Sequence, residues 1–371
     1  MKNTKKYLLS LTFICLGASV FAQPGGGNTA LPFLKMDMGA RYYGMAGAAT
    51  AFGDDVTAAN FYNPAALGRV RSFQVAGNTF DSSLDMKYNH VGLAFPVKFL
   101  SLSGGGPLVI GGNFYSFDKG DIELDEFNTV RPIGSDMAFT LSIGENIGNH
   151  TWSFMGDTSD VSHFFGVNGK YIRSTLPAVT KGDVTASAFA FDAGYTITVD
   201  EHFGLGIAMK NMGNQIKYIN ESDSLPLTAS IGLFFTLFDV PGLRWDLSGD
   251  YIRHIKERED RVRVGTEAAF LGILVVRGGI RLFEEIDKEY TLGFGLRLLG
   301  LEVDFGTVLN PQFNSDKVYQ IGVAYKFPVS KKNDAYDSDE KKRRDYEDYK
   351  RKEADAAADR AQQNKSPLLY Q

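Results

Sequence analysis

The chain has 371 residues, 44% of them hydrophobic and 13% aromatic, with a formal net charge of −5 and a single cysteine. An acidic balance with no basic stripe argues against nucleic-acid binding, and one cysteine excludes an internal disulfide framework. No apolar run after residue 22 is long enough for a spanning helix, so the hydrophobic residues must be deployed another way.

The chain opens with Lys2, Lys5 and Lys6, an apolar stretch from Tyr7 to Phe21, and small-residue spacing at Val20-Phe21-Ala22 before Gln23. This is the pattern of a secretory signal peptide over residues 1–22, and it predicts export. Cys15 lies between Ile14 and Leu16, a poor match to a lipid-attachment site, and reads as part of the signal's apolar core. The mature chain of 371 − 22 = 349 residues then has no thiol chemistry.

Residues 23–71 form an N-terminal segment that includes Gly39 to Leu67, rich in alanine and glycine, with helical spacing and a turn signal at Asn63-Pro64. Such a small-residue segment fits inside a barrel as a hatch. Within it Gly39, Arg41, Gly44, Met45, Gly47, Asp54, Asp55, Asn63, Pro64 and Ala65 stand in an order that resembles the N-terminal hatch of FadL-type barrels, most closely the PorV/PorQ branch. Ala46 and Ala66 depart from that branch's pattern, where glycine is usual. The resemblance implies a 14-stranded outer-membrane barrel with an internal hatch. It also implies one of two roles, accessory of protein export in a type IX-like system or channel for hydrophobic compounds.

From residue 72 apolar and polar residues alternate, most clearly in Val318 to Phe327, where Tyr319, Ile321, Val323, Tyr325 and Phe327 share one face. Repeated along the chain, with glycines on many polar faces, the pattern predicts an all-β, 14-stranded antiparallel transmembrane β-barrel over residues 72–327. The strands fall near 72–81, 86–97, 108–117, 136–144, 162–173, 184–197, 203–211, 226–237, 243–253, 260–270, 273–282, 289–298, 300–308 and 318–327. With both ends in the periplasm of a Gram-negative cell, brief turns such as Leu271-Gly272 and Leu299-Gly300 lie on the periplasmic side. The stretch from Glu145 to Val161, with Trp152 and Phe154, breaks this rule as a long periplasmic connection: either it packs under the barrel or the strand count is wrong there.

Alternation points Arg244, Asp246, Asp250, Arg261, Arg263, Glu267, Arg277, Arg281, Arg297, Glu302, Asp304 and Lys326 into the lumen. They predict one charged side whose members pair with each other and with the hatch, since a buried unpaired charge is costly. Trp245, Tyr251, Tyr290 and Phe294 fall outward, as interfacial aromatics should. Gly111-Gly112 in the third strand is either a close contact with the hatch or a lateral opening.

Asp54 and Asp55 could suggest a metal or an acid–base pair, but no ligand spacing follows them, and capping a hatch turn is the better reading. His90, His150, His163, His202 and His254 are scattered, and no nucleophile motif or phosphate loop occurs, so neither an enzyme nor a cofactor is expected. Residues 328–371 change character: from 331 on they hold eleven Lys/Arg and ten Asp/Glu and predict a solvated periplasmic helix. That tail is either a flexible extension or a docking arm using Tyr346 and Tyr349. The expected partners are outer-membrane lipid and a secretion or periplasmic protein, with a hydrophobic ligand as the alternative.

Overall fold

A computed structural model describes residues 29–82, 85–123, 130–154, 157–177, 182–283, 288–309 and 318–328. The signal peptide and all but the first residue of the charged tail lie outside them. Fourteen strands close into one antiparallel barrel. In chain order they are β1 Gln74–Ser82, β2 Lys87–Val97, β3 Leu108–Asp118, β4 Ser135–Phe154, β5 Asp157–Leu176, β6 Val184–Val199 and β7 Phe203–Gly213. The second half comprises β8 Thr228–Val240, β9 Leu243–His254, β10 Glu259–Phe270, β11 Leu274–Phe283, β12 Lys288–Leu298, β13 Leu301–Val308 and β14 Val318–Lys326. β1 closes on β14 with Gln74 opposite Lys326.

Alternating burial runs along these strands, and the outward positions carry Leu93, Phe139, Phe189, Ile207, Ile231, Phe294 and Val323, all exposed. No water-soluble monomer presents an apolar surface encircling it in this way, so the belt is a lipid-facing one and the fold is that of a membrane-spanning β-barrel. At one end most connections are tight, the ten-residue link between β2 and β3 excepted: Leu271-Gly272 (φ 52° and 67°) and Leu299-Gly300 (φ 51° and 87°) both take the left-handed region that two-residue hairpin turns require. The connections at the other end are mostly longer, and two of them contain short hairpins, Asp121–Glu123 with Val130–Pro132 and Ile216–Tyr218 with Glu221–Asp223.

The region from Glu145 to Val161 is not a connection packed under the barrel. β4 and β5 continue through it as a ladder, with Trp152 opposite Ser159, after a register shift at Asn146/Gly148. Asn149, His150, Thr151 and Ser153 make this extension polar on both faces, so the apolar rhythm vanishes while the hydrogen-bonded pairing goes on.

Residues 29–73 fill the lumen. They hold two short helices, α1 Ala40–Tyr43 and α2 Val56–Phe61, and two 3-10 turns, Pro32–Lys35 and Pro64–Arg69. Asp55 caps α2 by accepting from the Ala58 N–H at 2.8 Å, and Asn63 caps the second 3-10 turn by accepting from the Ala65 N–H at 3.0 Å. The segment winds around the inner wall against the order of the strands. Ala40–Gly44 touch Gly293 of β12 and Gly306 of β13, then Met45-Ala46 touch Gly265 of β10 and Gly279 of β11. Thr50-Ala51 reach Gly206 of β7 and Gly232 of β8, and Asn63-Pro64 reach Gly166 of β5 and Gly194 of β6. The polar-face glycines are therefore the track along which the hatch backbone lies on the wall.

At Gly293 a Cβ would sit 3.0 Å from the Gly44 Cα and 3.1 Å from the Phe305 carbonyl, both backbone atoms with no freedom to retreat. Gly293→Val should cut the yield of folded barrel in membranes several-fold, measured by heat-modifiable gel migration. Gly249→Val, whose nearest neighbour is the Arg263 carbonyl at 3.8 Å, should leave it unchanged.

Candidate functional site

The strongest interactions between hatch and wall centre on Glu267. Its carboxylate accepts from Arg41 of α1 at 3.1 Å, from Arg277 at 2.7 Å and from Arg297 at 2.8 Å. The surplus positive charge is met by neighbouring acids. Arg41 also donates to Asp54 at 2.6 Å, Arg277 to Asp304 at 2.7 Å, and Arg297 lies 3.8 Å from Glu302, which holds Lys326 at 3.1 Å. Each guanidinium keeps an acid partner, as burial demands. Asp54 and Asp55 thus serve an ion pair and a helix cap, and among the described residues no group of three metal-ligating side chains occurs.

A second knot joins Asp37 of the hatch to Arg263 at 2.6 Å and Arg281 at 3.4 Å, with Glu289 bonding Arg281 at 3.2 Å. Burial alone would raise the Asp37 carboxyl, but the Arg263 and Arg281 guanidiniums outweigh it and hold the group below the ordinary carboxylate value. Gly47 lies against the same pair, its φ of 76° bringing its backbone to Asp37 and Arg263. Ala46 before it has φ 59°, a left-handed conformation at the position where the resemblance expects glycine. Among the inward charges Arg261 pairs with Glu259 at 2.7 Å, Arg244 with Asp246 at 3.0 Å, and Asp250 accepts from the Ala49 and Thr50 N–H groups at 2.9 Å.

Several partners were not visible in the sequence. Asp37 precedes the hatch motif, and its one signal is the need of Arg263 and Arg281 for an acid. Lys170 and Asp192 form a buried pair at 2.7 Å on β5 and β6, so charge is not confined to one side of the lumen. Lys210 of β7 donates to the Phe61 carbonyl of the hatch. His150 and His163 are not scattered: the extended hairpin stacks their rings 4.9 Å apart, with His163 2.6 Å from the Tyr195 hydroxyl.

The wall formed by β2 and β3 is different in kind. Phe33 and Phe61 of the hatch pack against Tyr88, Tyr115 and Phe117, with centroids 5.2–6.4 Å apart, and these rings are all buried. On the outside of the same strands lies a cavity of about 570 Å³ lined by apolar groups of β2 to β6. Register builds it in two rows: Phe114, Phe139, Tyr171 and Phe189 align across β3 to β6, and Gly112, Leu141, Gly169 and Phe191 form the next row. The two glycines lower the floor between large neighbours. Inside, Gly111 rests against Leu67 of the hatch, where a Cβ would meet Leu67 Cδ1 at 3.2 Å. Both ladders of β3 run without a break through Gly111 and Gly112.

The strand ladder, apolar belt and filled lumen define a membrane-spanning barrel plugged by its own N-terminal segment. Among solved structures, a FadL homologue of Pseudomonas aeruginosa is similar over 79% of this chain and 99% of its own, at 11% identity and a TM-score of 0.47. The Pseudomonas putida toluene transporter TodX is similar over 83% of this chain and 98% of its own, at 11% identity and 0.40. A mutant Rh. blastica porin is similar over 69% and 99%, at 12% identity and 0.33. No family model matches the chain, and no curated protein matches it.

Glu267→Gln removes the acid shared by three guanidiniums and should weaken hatch seating by about 3 kcal/mol, seen as faster hydrogen exchange over residues 40–61. Adding Arg41→Met should recover part of that loss. Because the folded Asp37 carboxyl is depressed, its contribution is complete above the unfolded value of about 3.9 and disappears as pH falls through the folded one. Exchange protection of residues 37–50, corrected for intrinsic rate, should therefore hold from pH 7 to about pH 4 and fall below it.

Proposed function

We propose that this chain is a non-enzymatic barrel of the Gram-negative outer membrane that admits hydrophobic small molecules, with Gly111-Gly112 as the lateral exit once the hatch shifts. The observation that carries this reading is the thinness of the wall at that point. Gly112 puts no side chain into the outer apolar cavity, and the Leu67 side chain of the hatch covers Gly111 from inside. The buried aromatic cluster of Phe33 and Phe61 with Tyr88 and Tyr115 supplies apolar surface on the lumen side of the same strands. An apolar molecule displacing those hatch rings would exchange one apolar contact for another, so its entry is not opposed by desolvation of charge.

Gly112→Val tests this without touching the hatch, since the nearest atom to the added Cβ is Leu93 Cδ1 at 4.0 Å. The variant should fold normally and lose uptake of a small apolar compound such as toluene by about tenfold, measured as initial influx in whole cells. Unchanged influx would overturn the lateral route.

A second reading, a PorV/PorQ-type accessory of protein secretion or surface assembly, is favoured by how firmly the hatch is held. The Glu267 and Asp37 ion-pair knots and the glycine contacts fasten the hatch to the wall on the charged half of the lumen. Recovery of secretion machinery or cargo with the barrel from native membranes, together with normal influx in Gly112→Val, would favour this second role.

A further inference from the structure

The outer cavity sits at a defined level of the membrane. Its upper row of Phe114, Phe139, Tyr171 and Phe189 is a band of in-register aromatics, with Phe114 and Phe139 centroids 4.7 Å apart and Tyr171 and Phe189 5.3 Å apart. Outward-facing aromatics in a barrel mark the boundary between hydrocarbon and headgroups. The glycine row lies on the hydrocarbon side of that band. On the other side, two residues beyond Tyr171 on the same face of β5, stands Arg173, exposed, with Met137 and Ser187 as its cross-strand neighbours. Two residues of strand span about 6.6 Å, so the guanidinium sits at headgroup depth above the groove. Among the described residues Arg173 has no carboxylate partner.

We propose that this surface is a binding site for one phosphate-bearing membrane lipid, an acyl chain lying in the groove over Gly112 and Gly169 and the phosphate held by Arg173. Two features select this occupant. The groove lies in the lipid-facing face of the barrel, so hydrocarbon borders it on the side away from Arg173. Its unfilled lining would forfeit dispersion contacts that a chain restores. The cation above it matches a phosphate in charge and in its capacity for paired hydrogen bonds, whereas a protein partner would have to bring an acid to headgroup depth. The size of the cavity, about 570 Å³, falls within the range of sites that hold a discrete ligand.

The site does not rest on the transport reading. Gly169 lies two strands from Gly112, and its added Cβ would meet only Phe191 Cε1 at 3.9 Å, so Gly169→Phe fills the groove without disturbing the wall at Gly111-Gly112. The test is native mass spectrometry of the purified full-length barrel titrated with phosphatidylglycerol, and separately with diacylglycerol. The wild-type chain should retain one phosphatidylglycerol, Gly169→Phe should weaken that binding at least about tenfold, and Arg173→Gln should bring it down to the level of diacylglycerol. Equal retention by all three chains would mean annular lipid only and overturn the site. Equal wild-type binding of the two lipids would remove Arg173 from it. Arg173 is on the surface, so its variant remains informative should Gly169→Phe fail to assemble. Loss of the lipid in Gly169→Phe with apolar uptake intact would separate this site from the proposed channel.

Discussion

The barrel holds its hatch by backbone contact, and that is possible only where the wall has no side chains. At Gly166, Gly206, Gly265, Gly279, Gly293 and Gly306 the hatch main chain lies within van der Waals reach of six different strands, and at Gly194 and Gly232 the hatch side chains of Asn63, Pro64 and Thr50 take its place. Glycine within a strand weakens pairing and adds nothing to packing; here the missing packing is supplied by the hatch. The wall and the plug are consequently one packed object, and neither has a complete core alone. The long side chains act between the glycine contacts, with Glu267 and Asp37 each drawing arginines from hatch and wall into a shared knot.

The distribution of charge follows from the same constraint. A lumen filled with close-packed backbone leaves little water to solvate ions, so each buried charge must find a partner there. The wall from β10 to β14 supplies arginines and acids in near balance, and the hatch completes it with Arg41, Asp37 and Asp54. The wall of β2 and β3 supplies rings instead. One barrel thus has a polar side that fastens the hatch and an aromatic side that does not fasten it by charge, and the outer groove lies behind the second.

Strands were legible because lipid on one side and polar packing on the other enforce a period of two. β3, β10 and β11 start or end within a residue or so of where alternation places them. Alternation failed where its cause failed: past Asn146 the hairpin of β4 and β5 has polar residues on both faces, so pairing continued without a pattern, and the His150–His163 contact was hidden with it. Inward charges were legible one strand at a time. Their partners were not, because Asp37 with Arg263 and Lys170 with Asp192 depend on register between strands and on the path of the hatch. The groove is the clearest case: Gly112 stood out in sequence only as half of a double glycine, and it meets Gly169 in one row only through two successive ladders.

The winding of the hatch against the strand order has a kinetic consequence. Ala40, near the start of the described chain, lies on Gly306, in the second-to-last strand, while Leu67, near the first strand, lies on Gly111 and Gly144. The contacts that close last in sequence are therefore those made by the residues synthesised first. Until β12, β13 and β14 arrive, the glycines on which α1 rests, Gly293, Gly306 and Gly322, are missing. Contacts of such long sequence separation are slow to form, and α1 is seated by the strands that flank the seam between the first and last of them.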